Sequence, residues 1–177
     1  MPDARILVTG ATGNVGEEVV RDLLGRGVPV RVAVRDVAGA RRKWGGDVDC
    51  ATFDFGRPET FAPAFEGIER LFLVRPPALA DVKRYVFPAV DAAVRAGVRH
   101  VVFLSLLGAE KNVVVPHHKI EAYLEAAPVA FTFLRAGFFM QNLSTTHRSE
   151  IRDRDEIWVP AGRGRTSFVD VRDVAAV

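Results

Sequence analysis

Gly10, Gly13 and Gly16 punctuate the run Gly10-Ala11-Thr12-Gly13-Asn14-Val15-Gly16, which follows the apolar segment Ile6-Leu7-Val8 and opens a segment of helical period. Glycine at a strand-to-helix turn permits positive φ and lets a ligand approach the backbone, while the free amides of the first helical turn attract a diphosphate. The spacing is G-x-x-G-x-x-G rather than the usual dinucleotide fingerprint G-x-G-x-x-G, so its place in the first βα turn carries more weight than its letters. The reading is a phosphate cradle built from Gly10, Thr12, Gly13, Asn14, Val15 and Gly16; the alternative is a tight turn that binds nothing. Arg35 and Asp36 end the second apolar run, where an acid takes the ribose 2′-hydroxyl of NAD and an arginine takes the 2′-phosphate of NADP. Arg35 points to NADP(H), with NAD(H) as the alternative that Asp36 would serve and a solvated strand-end charge as the plain reading. Asp54-Phe55, after the third run, stands where adenine is met, the Asp accepting from its amino group or else making a turn or helix cap.

Those residues need elements to hold them. Short runs rich in Val, Ile, Leu and Phe (Arg5–Thr9, Val30–Val34, Val48–Phe53, Arg70–Val74, Val101–Leu104 and Ala130–Leu134) alternate with segments of helical period. Val15, Val19, Val20, Leu23 and Leu24 form one helical stripe, and Val82, Val86, Val90, Ala93 and Val94 another. Repeated βα units of this kind imply an α/β fold, a Rossmann-like doubly wound parallel sheet with helices on both faces. At 177 residues, 49% of them hydrophobic, the chain suffices for one such domain with a sizeable core.

Composition excludes several classes. A net charge of +2 is too small for an electrostatic nucleic-acid binder, and the cluster Arg41, Arg42 and Lys43 reads as solvated surface or as help for a 2′-phosphate. With one cysteine, Cys50, the chain forms no internal disulfide and lacks the sulfur for a Cys-rich zinc site, which fits a reducing, cytoplasmic setting. His117 and His118 point to different helix faces while His100 and His147 stand apart, so no metal site is expected. No apolar run reaches the roughly 20 residues of a membrane span, and the N-terminal run is too short for a signal peptide. The alternating charges from Glu150 to Glu156 read as a solvated helix end or loop.

Five segments in order resemble the NmrA-like family of atypical short-chain dehydrogenase/reductases: Gly10 to Gly16, Val32 to Asp36, Leu73 to Pro77, Gly97 to Ser105 and Phe133 to Leu143. The resemblance covers essentially the whole chain and implies NAD(P) binding on a Rossmann fold. It also implies that Val74, Arg75 and Pro76 lie beside the cofactor and that Leu134 to Phe139, with Phe138 and Phe139, flank the substrate cleft. The family's usual Arg-Pro is Arg135-Ala136 here, which predicts a less rigid turn. A small C-terminal substrate region is expected to start near residue 138 and to be cut short, leaving water access to the reacting end of the cofactor.

The Tyr-x-x-x-Lys pair of ordinary short-chain dehydrogenases is missing, since the residues four beyond Tyr85 and Tyr123 are Ala89 and Ala127. In its place stands His117-His118-Lys119-Ile120-Glu121, resembling the His-x-x-x-Glu start of this helix in NmrA-like proteins. Counting about 100° per residue, Ile120, Glu121 and Leu124 share the face of His117, whereas Lys119 lies about 200° away and is a poor catalytic candidate. His117 is the candidate proton-transfer group, with a packing or capping role as the alternative. Ser105, at the carboxyl end of the fifth run, is the candidate partner for a substrate oxygen, or else a turn serine. Without a tyrosine acid, the expectation is NADPH-dependent reduction of an electron-poor acceptor such as a quinone or dye. The alternative is a non-catalytic NAD(P)-binding redox sensor that reports to a regulated protein partner. Finally, Asp170 is read as the N-cap of a short last helix whose Val171, Val174 and Val177 need a surface, supplied by the domain body or by a second copy in a homodimer.

Overall fold

The computed structural model describes residues 5–46, 48–159 and 162–177, so Met1 to Ala4, which enter the reading that no signal peptide is present, lie outside the described residues. The apolar runs form β1 (Ile6–Thr9), β2 (Val30–Val34), β3 (Asp49–Thr52), β4 (Arg70–Leu73), β5 (His100–Leu106) and β6 (Ala130–Ala136). All pair in parallel in the order β3-β2-β1-β4-β5-β6. Because the order reverses between β1 and β4, the connections diverge there and leave a crevice at the carboxyl ends.

Between the strands run α1 (Asn14–Gly25), α2 (Val37–Trp44), α3 (Phe61–Phe65), α4 (Val82–Tyr85), α5 (Phe87–Arg95) and α6 (Pro116–Ala126). Strand alternation sorts the core into two layers. Leu7, Leu71, Leu73, Val101 and Phe103 face α3, α5 and α6, whereas Val8, Val32, Phe72 and Leu104 face α1. The described residues contain no helix long and apolar enough to cross a membrane.

Three expectations need correction. Val15, Val19 and Val20 are buried, but Leu23 is only half-buried and Leu24 is exposed, because the last turn of α1 is left uncovered. The single helix expected from Val82 to Val94 is two, α4 and α5, interrupted at Val86; Pro88 has no amide to continue the ladder, although the stripe Val82, Val86, Val90 and Ala93 stays buried across the break. Nor does Arg135-Ala136 loosen the chain: β6 runs through Ala136, whose carbonyl accepts from Leu107 N at 2.9 Å, so pairing fixes what a proline ring would have fixed.

Beyond β6 come β7 (Phe138–Phe139), α7 (Gln141–Ser144), α8 (Arg148–Arg154), β8 (Phe168–Val169) and α9 (Val171–Ala176), with β7 and β8 paired as a separate two-stranded sheet. The charged run is exposed from Ile151 to Glu156, along α8 and the segment after it, whereas Glu150 is half-buried against His147. Asp170 does cap α9, accepting from Arg172 N at 2.8 Å, and the Gln141 amide ties α7 to it by donating to Asp170 and accepting from Val171 N. Val171 and Val174 are buried in the layer shared with α1, so the domain body covers them; Val177, expected on the same stripe, is outside it.

The two halves of the sheet are joined at the crevice by Thr9, which is fully buried. Its hydroxyl accepts from Val74 N at 2.7 Å and lies within donating distance of the Phe72 carbonyl, at 3.2 Å. Thr9→Val keeps the shape and orphans the Val74 amide, so urea unfolding should show a loss of about 1–3 kcal/mol; an unchanged midpoint would mean the staple is dispensable.

Candidate functional site

At the carboxyl ends of β1, β2 and β3 lies a cleft of about 750 Å3 lined by Thr9, Gly10, Thr12, Val34, Arg35, Asp36, Asp54 and Phe55, with Pro76, Ala78 and Leu79 as its far wall. Gly10 has φ +63°, and a Cβ there would press on Val74 Cβ at 3.0 Å. A Cβ at Gly16 would overlap the Gly10 carbonyl, so this glycine lets α1 close onto the loop. Gly13 differs: its φ is −92°, and a Cβ there would meet only Gly10 O at 3.4 Å. Nothing in the fold itself requires glycine at that position, which is exposed beside the helix N-terminus. Gly13 caps α1 without any side-chain acceptor, leaving the amides of Asn14, Val15 and Gly16 without intrahelical partners. The six cradle residues thus gather at one helix N-terminus as the spacing implied, although Val15 and Gly16 present only backbone, since both are buried.

Arg35 and Asp36 are both exposed at the rim, but they are not equivalent. Asp36 caps α2 by accepting from Gly39 N at 2.9 Å and lies 4.0 Å from Arg42, while still lining the cleft; Arg35 makes no ion pair or side-chain hydrogen bond among the described residues. Asp54 likewise makes a local turn, its Oδ1 accepting from Gly56 N at 2.8 Å, and still lines the cleft; Phe55 is buried edge-on to Phe53 with centroids 4.9 Å apart. Sequence reasoning missed Thr9, Ala78 and Leu79, and only the terminal position of Thr9 on β1 signalled any of them.

On the β5 side the candidate residues form a polar cluster. In register on neighbouring strands, Ser105 and Arg135 both reach Glu121 of α6, which is 3% exposed. Ser105 Oγ donates to Glu121 Oε1 at 2.5 Å, and Arg135 makes a two-point fork to the same carboxylate at 3.0 and 2.9 Å. Burial pushes the Glu121 carboxyl up, but the Arg135 fork, the Ser105 hydroxyl and neighbouring positive charge outweigh it and hold the group below the usual carboxylate range. Ser105, 4% exposed, therefore has its proton committed to Glu121, and its geometry is that of a positioning residue rather than a free donor to substrate. The sequence gives Arg135 no role in this cluster; the available signal was its equal spacing with Ser105, each two residues past a phenylalanine on paired strands.

His117 does lie on the inward side of α6 with Ile120, Glu121 and Leu124, and Lys119 is exposed. Its ring stacks on Phe103 at 5.8 Å, and its Nδ1 is buried with no partner. The other histidines are tied locally, His100 to Thr132, His118 to the Ala109 carbonyl and His147 to Glu150. Burial, helped by the positive charge of Arg75 and opposed by Glu121, pushes the His117 ring down to about 4, so it is neutral at pH 7. Tyr123 is no substitute acid: it donates to Asp91 on the α5 side and is pushed up to about 12.

Of the loop after β4, Pro76 lines the cleft, Val74 backs Gly10, and Arg75 folds onto its own loop, one Nη1 reaching the carbonyls of Pro76, Pro77 and Leu79 at 2.9–3.1 Å. Phe138 stacks on His147 and meets Phe168 edge-on, and Phe139 packs into the layer of α1. Neither phenylalanine joins the Ser105 cluster.

A six-stranded parallel sheet with a glycine cradle at its switch point defines a Rossmann-type dinucleotide-binding domain. The sequence pattern of the NmrA-like family matches residues 2–177, and the chain belongs to that family. It is 36% identical over 176 residues to the NAD(P)H azoreductase of Xenophilus azovorans, a match covering 97% of this chain and 61% of that protein. Among solved structures it resembles the triphenylmethane reductase of Citrobacter sp. complexed with NADP(H), at TM-score 0.80 and 26% identity over 97% of this chain and 62% of that one. The NADPH-dependent quinone oxidoreductase of Escherichia coli complexed with NADPH matches at TM-score 0.83 and 25% identity, with the same coverage of 97% and 62%. The chain thus spans about three fifths of the length of these relatives.

Two outcomes follow from the geometry. Gly13→Val should abolish nucleotide binding, read by fluorescence titration, while leaving the thermal transition in place, because nothing in the fold requires glycine there; retained binding would reduce the loop to a turn. The His117 ring should titrate near pH 4 by nitrogen NMR. Since the unfolded ring, near 6.5, binds more protons than the folded one between those values, stability contributed by the neutral ring is lost as pH falls from about 6.5 to 4. His117→Phe should make the pH dependence of urea unfolding shallower in that window.

Proposed function

We propose that this chain is the cofactor-holding part of an NADPH-dependent reductase whose acceptor is electron-poor, of the quinone or dye type. The observation that carries the reading is the cleft itself, with an unpartnered Arg35 at the rim where a 2′-phosphate would lie and free α1 amides facing the cradle. Gly10 to Gly16 would hold the diphosphate, Asp54 and Phe55 the adenine end, and Pro76 and Leu79 the wall. When bound, a reduced nicotinamide supplies the hydride. The protein's part is to bind, orient and keep the neighbourhood polar but aprotic: Ser105, Glu121 and Arg135 are locked in one ion pair, and His117 is neutral at working pH. This arrangement suits an acceptor that needs little acid help. The names of the azoreductase, triphenylmethane reductase and quinone oxidoreductase relatives support the acceptor class.

Arg35→Ala removes a charge-assisted contact worth about 1.5–3 kcal/mol, so the NADPH dissociation constant should rise by roughly one to two decades while that for NADH barely moves. Equal losses for both nucleotides would overturn the assignment of Arg35. Oxidation of NADPH with a panel of quinones and azo dyes tests the reaction; tight nucleotide binding without turnover of any acceptor, even in a form extended to the relatives' length, would favour the redox-sensor reading instead.

A further inference from the structure

We propose that the outer edge of β6 is an interface with a second copy of this chain, the two strands pairing antiparallel across a twofold axis at Phe133 so that the two sheets become one. As the last strand of its sheet, β6 pairs with β5 alone. Ala130 N donates to Arg99 O, and Ala136 O accepts from Leu107 N, so the even-numbered residues of β6 turn their backbone groups to β5 while Phe131, Phe133 and Arg135 turn theirs outward. None of the amides and carbonyls of those three residues has a partner among the described residues. The other edge of the sheet is guarded: β3 has four residues and carries Asp49, which pairs with Arg5 and Arg31, and a short, charged strand resists further pairing. β6 has seven residues without proline or lysine, and its Phe131 is 40% exposed. Its one charge, Arg135, is already held by Glu121, so an approaching copy meets little repulsion.

The edge is complementary to itself. A twofold centred on Phe133 sets Phe133 against Phe133 and Phe131 against Arg135 on either side, and it alone pairs every outward amide and carbonyl of the strand. Within one copy the Phe131 ring stacks on Phe133 at 4.7 Å, and the Arg135 guanidinium lies 5.6 Å from the Phe133 centroid. The second copy extends this row by laying its Phe131 beside the part of Arg135 that is open to solvent, and so shelters the ion pair through which Arg135 holds Glu121 and Ser105. The helical layer closes as well. Because α6 lies over β5 and β6, the axis brings the second α6 to about two strand spacings from the first, roughly 10 Å, an ordinary helix packing distance. Pairing across a twofold uses the edge up, so association stops at two copies.

Sedimentation velocity over a concentration series, with amide exchange read residue by residue, tests the pairing. As concentration rises the chain should pass from monomer to dimer and no further, and the amides of Phe131, Phe133 and Arg135 should slow in step, while those of Thr132 and Leu134, bonded to β5, stay slow throughout. Phe131→Lys sets a lysine against Arg135 on both sides of the axis and should raise the dimer dissociation constant about tenfold or more. Val114→Lys, at an apolar side chain 76% exposed just before α6, should leave it unchanged. The exchange pattern of the unsubstituted chain stands if either variant fails to fold. A chain that stays monomeric, assemblies that grow past two copies, or a dimer whose three outward amides still exchange fast would overturn the proposal. Slow exchange at those amides in the monomer would also overturn it, since the edge would then be covered from within the chain, and so would equal effects of the two lysines.

Discussion

The closeness of α1 to the end of β1 is the constraint on which the rest depends. Gly16 lies so near the Gly10 carbonyl that any side chain would overlap it, and Gly10 in turn takes a positive φ against Val74. That approach sets the helix axis at the switch point of the sheet, aims its unpaired amides at the crevice and seats Val15, Val19 and Val20 on Val8 and Val32. The Thr9 hydroxyl then holds β4 beside it, so the cleft wall beyond Val74 inherits its position from the same corner. Cradle, core layer and wall are one construction rather than three.

Two arginines, one beyond the end of β4 and one in β6, show how differently the same charge can be used. Arg135 is neutralised by a buried carboxylate whose remaining capacity is filled by Ser105, an arrangement in which removing one member leaves the others desolvated and unpaired. Such a cluster fixes β5, β6 and α6 relative to one another. Among the described residues Arg75 donates only to carbonyls of its own loop, and burial pulls its guanidinium down from the usual value. Its charge adds to burial in keeping His117 from taking up a proton.

What could be read from the chain depended on the range of the interaction. The strands, their parallel arrangement and the cradle follow from local periodicity and from glycines at a single turn, and they appear with boundaries shifted by a residue or two. Asp170 as a cap was legible for the same reason, since a cap acts within one turn. Asp36 was not: its side chain had two uses within reach, a ribose and the Gly39 amide, and nothing local chooses between them. The helix break at Val86 was hidden because the buried stripe continues across it, so hydrophobic spacing registers the packing and not the lost hydrogen bond. Ser105, Glu121 and Arg135 were visible as residues on the right faces, but their partnership closes across three elements and needed the β5–β6 register to be known. The resemblance implied a place for Arg75 beside the cofactor, and its hold on the carbonyls of its own loop could not be read, since no periodicity describes that loop's path.

The docking of α9 on α1 has a meaning for how the protein is made. Val171 and Val174 cover the helix that carries the cradle, and Arg26 at the end of α1 donates to the Ala176 carbonyl at 3.3 Å. These contacts join the earliest βα unit to residues synthesised more than a hundred and forty positions later. As the chain emerges from the ribosome, the sheet can assemble outward from β1 and cover the inner side of α1, while the part of α1 that meets α9 waits, and long-range closure of this kind is slow. The helix that carries the cradle is therefore sheltered in two stages, by the sheet first and by α9 only at the end.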